Sequence, residues 1–271
     1  MRVLVTDRRR RVLDEVRRYG SVSVRDLAER LDVSAMTIRR DLEQLEADGA
    51  LRRVRGGATM PRANDTEELA FAETSHRRIA EKEAIARRAA ELVHPGMCVG
   101  LSGGSTTWTL ARQLRQLPDL TIVTNSLRIA DEFTVGDARR TVILTGGIRT
   151  PSDALVGPVA VQALGQLHCD LVFMGVHGMD TGAGFTTPNL MEAETNRALV
   201  RSTRRLAVVA DHSKWGRVGL STIADLSAAH TLVTDDRLPA GARADLAARI
   251  DQVLMAPAGE TDSTRPLHPP D

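Results

Sequence analysis

The chain has 271 residues, 42% of them apolar, and a formal net charge of +1 at pH 7. That length suffices for one large or two unequal domains, and no run nears the roughly 18 apolar residues a membrane-spanning helix needs. The apolar start is too short for a secretory signal, and Cys98 and Cys169 lie in apolar runs without metal-ligand spacing, so a cytoplasmic protein with buried thiols and no metal is expected.

The charge is unevenly spread. Residues 1–60 hold 14 Arg against 10 acidic residues, a net of +4 that leaves −3 for the remainder. A basic end on a mildly acidic chain points towards nucleic acid. The apolar residues Val12, Leu13, Val16 and Tyr19 predict a helix over Asp7–Tyr19, ended by Gly20. Ser23 caps a short second helix with Asp26 in the capping-box position. Asp32-Val33 makes a turn, and Ser34 caps a third helix with an inward stripe of Ala35, Ile38, Leu42 and Leu45, closed by Gly49. Leu51–Ala58 reads as a hairpin with a glycine tip. Three helices and a hairpin make a winged helix-turn-helix.

Opposite that stripe the third helix presents Met36, Thr37, Arg40 and Gln44, with Arg39 at the flank. Long donors for guanine edges beside small or apolar groups for the thymine methyl are what a recognition helix offers the major groove. Ser34 and the helix N-terminus suit a phosphate. In the hairpin, Arg52, Arg53 and Arg55 would position the module on the backbone more than specify sequence. A charged helix face alone reads as solvated surface; here caps, turn and basic hairpin agree on double-stranded DNA.

Residues 61–75 read as a linker, polar and opened by Pro61. A helix is predicted from about His76 to Val93, apolar at Ile79, Ile85, Ala89 and Leu92. Apolar strand candidates follow at Met97–Leu101, Leu120–Thr124, Thr141–Thr145, Leu171–Gly175, Leu206–Ala210 and Thr231–Thr234. Helical stretches lie between them, at Thr106–Leu117, Ser126–Phe133, Pro158–Leu167 and Pro188–Ser202. The alternation predicts a larger α/β domain over 76–255, with a mostly parallel sheet covered on both faces. The Pro-rich, polar tail from 256 to 271 is expected to be disordered.

Leu101-Ser-Gly-Gly-Ser-Thr-Thr-Trp-Thr-Leu110 sits where a strand turns into a helix. Gly103 and Gly104 allow close backbone approach, and Ser105, Thr106 and Thr107 add hydroxyls beside the helix's free amides, a cradle for phosphate. Such a turn is as often purely structural. It has neither the Gly-Lys-Ser/Thr of a nucleotide loop nor the dinucleotide spacing, so no cofactor is expected. Three further loops follow strands, where ligands of parallel sheets gather: Thr124-Asn125-Ser126, Thr145-Gly146-Gly147 and Asp211-His-Ser-Lys214. Asn125 and Asp211 suit sugar hydroxyls, although Asn125-Ser126 reads equally as a helix cap. Against 34 Arg the chain has two Lys. Lys214 suits a phosphate, or is a surface charge; Lys82, between Glu81 and Glu83, reads as a solvent-facing charge or ion-pair member.

The stretch Val24–Leu42, with its Val-Ser-Ala-Met-Thr-Ile-Arg-Arg-Asp-Leu core, and Leu51-Arg-Arg-Val-Arg-Gly-Gly-Ala58 resemble the N-terminal domain of DeoR-type bacterial repressors. The resemblance extends to about Thr234. It implies a sensor domain similar to ribose-5-phosphate isomerase and glucosamine-6-phosphate deaminase, repression of sugar or sugar-alcohol operons, a phosphorylated sugar or polyol as effector, and self-association into a homo-oligomer. Two positions depart from the family's usual pattern. Ser102 stands where Asp is common, and His177, in Met-Gly-Val-His-Gly-Met-Asp180, where Asn or Ser is usual; both are expected to line the pocket. The competing reading is a sugar-phosphate isomerase or deaminase with an appended DNA-binding module, using His177, Asp180, Glu192 and Asp211 as acid-base groups. That reading leaves the basic head unexplained.

Overall fold

The computed structural model describes residues 5–19, 21–47, 51–54, 56–59, 71–134 and 140–257. The chain divides into two compact units, 1–64 and 65–271. In the first, α1 (Val5–Tyr19), α2 (Val24–Leu31) and α3 (Ala35–Ala47) accompany three short strands, β1 (Ser21–Ser23), β2 (Arg52–Val54) and β3 (Gly57–Thr59). The strands form an antiparallel sheet in the order β1-β3-β2, so the wing is a hairpin extended by the segment that enters α2. Ser23 caps α2 by accepting from the Asp26 amide, and Asp32 ends it in a left-handed conformation. Val12, Val16, Leu27, Ile38, Leu42 and Leu45 form the small core. Ala35, expected inward, is exposed on the first turn of α3. Gly20, Gly49 and Arg55 lie outside the described residues.

The larger unit opens with α4 (Phe71–Ser75) and α5 (Ile79–Ala90). The helix expected from His76 therefore starts later, and residues 71–75 of the expected linker are helical. The break has a local cause: Arg78 takes a left-handed conformation, φ 53° and ψ 49°, which no α-helix accommodates. Then come β4 (Cys98–Leu101), α6 (Ser105–Leu114), β5 (Thr121–Thr124), α7 (Leu127–Glu132), β6 (Thr141–Leu144), β7 (Ile148–Arg149), β8 (Leu155–Val156), α8 (Pro158–Leu164) and β9 (Leu171–Met174). They are followed by β10 (Gly178–Asp180), β11 (Gly184–Thr187), α9 (Leu190–Arg201), β12 (Leu206–Val209), β13 (Ser221–Ala224), β14 (Thr231–Asp235), α10 (Ala240–Ala247) and β15 (Gln252–Ala256). All six expected strands are present, and β15 makes a seventh. Ala256, where the tail was expected to begin, ends that strand; residues 258–271 lie outside the described ones.

The main sheet is parallel throughout, in the order β15-β14-β12-β9-β4-β5-β6. Alternate strand residues feed two cores. Val99, Leu101, Phe173 and Val209 face α5 and α6, while Val172, Met174, Val208 and Leu232 face α9 and α10. Cys98 is half-buried and Cys169 buried; burial pushes both thiols up, Cys169 to about 12. A second sheet, β10-β11-β13, and the β7–β8 hairpin stand apart from the parallel one. The chain builds outward from β4 through β5 to β6, then returns to β4's other side with β9. That reversal opens a crevice at the carboxyl ends of β4 and β9.

Candidate functional site

In the first unit α3 carries the expected recognition face. Met36 is 59% exposed, and Arg39, Arg40 and Gln44 are exposed beside it. Ser34 and Thr37 serve the helix start: Ser34 Oγ accepts from the Thr37 amide (3.1 Å) and lies 2.9 Å from Thr37 Oγ1. Asp41, which sequence reasoning left unassigned, is buried and fixes the helix to α1 by accepting from Arg8 Nε (2.5 Å) and Arg9 Nε (3.3 Å). Its position three residues after Ile38 and four before Leu45, on the buried stripe of α3, was the available signal. Arg53 turns back on α3, with Nη1 3.0 Å from Glu43 Oε1 and its amide donating to Glu46 Oε1. Its charge is therefore shared with the acidic residues of α3. Arg52 lies on β2. A groove of about 550 Å³ between α2, α3 and the wing is lined by Arg25, Arg39 and Arg53 among others.

In the second unit the crevice at the strand reversal is a cleft of about 200 Å³, below the roughly 300–1,000 Å³ of drug-sized pockets. Its floor is the loop between β4 and α6. Gly104, at φ +154°, caps α6 without any side-chain hydrogen bond, which leaves the first-turn amides facing outward. Gly103 is required by packing, because a Cβ there would sit 2.8 Å from Ala154 Cβ. Gly103, Gly104, Ser105, Thr106, His177, Asp211 and Lys214, all expected, line the cleft.

The other expected residues lie behind it. Ser102 is fully buried and its Oγ accepts from the Gly175 amide (3.0 Å), tying the β9 loop to the floor. Thr107 Oγ1 donates to the Gly104 carbonyl (2.9 Å). Asn125 is buried too: Oδ1 accepts from the Gly103 amide (2.8 Å) and Nδ2 donates to the Leu155 carbonyl. Ser126 caps α7. Gly146 and Gly147 belong to the turn into β7, away from the lining. These residues hold the cradle; the structure does not bring them to its surface. Of the acid-base candidates, Asp180 accepts from the Gly182 and Ala183 amides in a turn, and Glu192, which accepts from Thr187 Oγ1 (2.6 Å), joins His177 and Asp211 at the cleft.

Lys82 corrects the sequence reading most sharply. It is buried, lines the cleft, and donates from Nζ to the Thr74 carbonyl (2.5 Å). The flanking acids misled: Glu81 is itself buried and pairs with Arg237 (2.8 Å) instead. Lys82 lies three and seven residues before Ile85 and Ala89, on the buried stripe of α5, and that spacing was the signal. Ile79, expected inward, is 49% exposed. Burial lowers Lys82 to about 8, against the pull of Asp211 and with the push of Lys214, Arg78 and Arg77. Burial likewise depresses Lys214, opposed by Asp211. For Asp211 burial works upwards, but Lys214, the Ser213 hydrogen bond and Arg78 outweigh it and hold the carboxyl below its ordinary range. Arg77, Arg78 and Arg217 complete a cationic wall that sequence reasoning missed. Among the described residues no group of His, Cys, Asp and Glu is arranged to hold a metal, and no helix is long and apolar enough to cross a membrane.

A winged helix-turn-helix unit and a parallel α/β unit with a cation-lined cleft make the plan of a transcription regulator. Residues 8–64 match the model of the DeoR-like helix-turn-helix domain, and residues 77–236 that of the DeoR C-terminal sensor domain. The chain belongs to the DeoR family. It is 35% identical to the regulator GlpR of Haloferax volcanii, covering 90% of this chain and 95% of that one. Identity to GolR of Listeria innocua is 34%, over 86% and 91%, and to the glycerol-3-phosphate regulon repressor of Escherichia coli K12 29%, over 85% and 90%. Among solved structures, a D-ribose-5-phosphate isomerase aligns with 49% of this chain and 52% of its own at 16% identity and a TM-score of 0.37. Relatives matched over nearly their whole length are regulators, so the chain is a DNA-binding regulator and the isomerase-deaminase alternative falls.

Proposed function

We propose that this regulator represses an operon for a sugar or sugar alcohol, and that a phosphorylated sugar or polyol in the cleft sets its affinity for operator DNA. The observation that carries the reading is the uncapped N-terminus of α6 opening into a cleft lined by both lysines of the chain. Helix amides and fixed cations in a partly dry site favour a phosphate dianion, while His177, Glu192 and Asp211 offer polar groups to hydroxyls. The cleft's small volume suits a short phosphorylated polyol, and one relative is named for the glycerol-3-phosphate regulon. On DNA, Met36, Arg39, Arg40 and Gln44 meet base edges, and a homo-oligomer sets two such helices about one helical turn apart. An effector changes operator affinity by its own difference in affinity between two arrangements of the protein.

The test is a melting-temperature screen of sugar and polyol phosphates, with the stabilising compound then added to the operator complex. Lys214→Ala should bind operator as the parent does and lose the response. A variant that still responds at the same ligand concentration overturns the assignment of the cleft.

A further inference from the structure

The wall of the cleft that the α/β core does not supply comes from the strap of α4 and the turn after it, residues 71–78. This strap begins at Phe71, seven residues past Asn64, the last residue of the DNA-binding unit. It is held at both ends. At the start, the Phe71 ring meets Trp108 edge-on at 5.5 Å, Arg128 lies over it at 5.5 Å, and the Phe71 amide donates to the Pro151 carbonyl (3.3 Å). At the finish, the fastening is made by cations of the cleft itself. Lys82 Nζ donates to the Thr74 carbonyl (2.5 Å), Arg78 Nε lies 3.4 Å from Asp211 Oδ1, and Arg78 Nη1 lies 3.3 Å from His212 Nε2.

We infer that the strap is the element through which the cleft acts on the segment leading to the DNA-binding unit: an anion seated in the cleft draws Lys82 from the Thr74 carbonyl and Arg78 from Asp211, and so loosens residues 71–78. The inference rests on the cleft being the effector site. Its physical basis is competition. A phosphate dianion is a stronger acceptor for an ammonium than a neutral carbonyl is, because both partners are then charged. For Arg78 it competes with a single carboxylate at a long 3.4 Å. Arg78 also holds a left-handed backbone, φ 53°, that a residue with a Cβ keeps only while its contacts compel it. Once the guanidinium leaves Asp211 and, with it, His212, that compulsion goes.

Hydrogen exchange of the full-length protein, with and without saturating glycerol 3-phosphate and, separately, inorganic phosphate, tests this. The peptide containing Ser105–Thr107 should gain protection while residues 71–78 exchange several-fold faster, led by the amides of Phe71 and Arg77, the latter now bonded to the Thr74 carbonyl. Protection gained at Ser105–Thr107 with 71–78 unchanged or slower would overturn the strap and leave the effector site standing. No change in either region would sink both. Phe71→Ala, which unfastens the distant end without touching a cleft residue, should bind the probe like the parent yet leave operator affinity insensitive to it. A variant whose operator response matches the parent's also refutes the inference.

Discussion

Raising the pH should weaken effector binding, and Lys82 sets the size of the effect. Burial holds its ammonium at about 8 in the free cleft, whereas a bound phosphate dianion favours the charged form and raises it. Binding therefore takes up a proton once the pH exceeds that of the free group. The affinity is full below about pH 8 and declines as the pH rises through it. At about pH 9 only roughly a tenth of free molecules keep the charge, so affinity should fall about tenfold from its value at pH 7, or ~1.4 kcal/mol. A phosphate monoester, with a second pKa of about 6, is already dianionic at both pH values and adds no slope. Lys214, depressed in the same direction, steepens the decline. Calorimetric titration with glycerol 3-phosphate across this range measures it, and Lys82→Met should remove most of the slope while weakening binding at pH 7. An affinity constant to within about twofold from pH 7 to 9 would refute the placement of Lys82 at the anion.

Three further substitutions probe the rest of the molecule. Arg40→Ala should cost about 1–3 kcal/mol of discrimination between operator and unrelated DNA, read as a ratio of dissociation constants at one salt concentration; an unchanged ratio removes Arg40 from base recognition. Asp41→Ala, which strands Arg8 and Arg9 beside a buried position, should destabilise the first unit by about 2 kcal/mol, seen as an earlier melting transition with effector binding intact. Gly103→Ala drives a Cβ to 2.8 Å from Ala154 Cβ. It should cost about 1–3 kcal/mol of stability in the larger unit and reduce effector affinity by tilting the cradle, whereas normal affinity in that variant would show the floor to be pliable.

Much of this protein is legible along the chain because its signals are local. Caps at Ser23 and Ser34, period-3.6 stripes such as Ile38–Leu42–Leu45, and apolar runs such as Leu171–Met174 report on neighbours a few residues away, and the three helices and six strands follow from them. So does the strand-to-helix turn at Gly103–Thr106, whose glycines and hydroxyls stand in one stretch of chain. β7, β8 and the second sheet escaped because strands of two to four residues carry too short a pattern to separate from loop.

Tertiary structure alone decided what faces what. Asn125 and Ser102 have the chemistry of ligand contacts, but the return of the chain to β4 through β9 places them beneath the floor, where their polar atoms are consumed by the amides of Gly103 and Gly175. Lys82 shares the buried stripe of Ile85 and Ala89, but what its ammonium meets was decided by the left-handed turn at Arg78, which brings the Thr74 carbonyl of α4 against it. The identity of a side chain fixes which bonds it can make. Whether those bonds go to solvent, to ligand or to the protein's own backbone depends on elements tens of residues distant, and no local pattern records them.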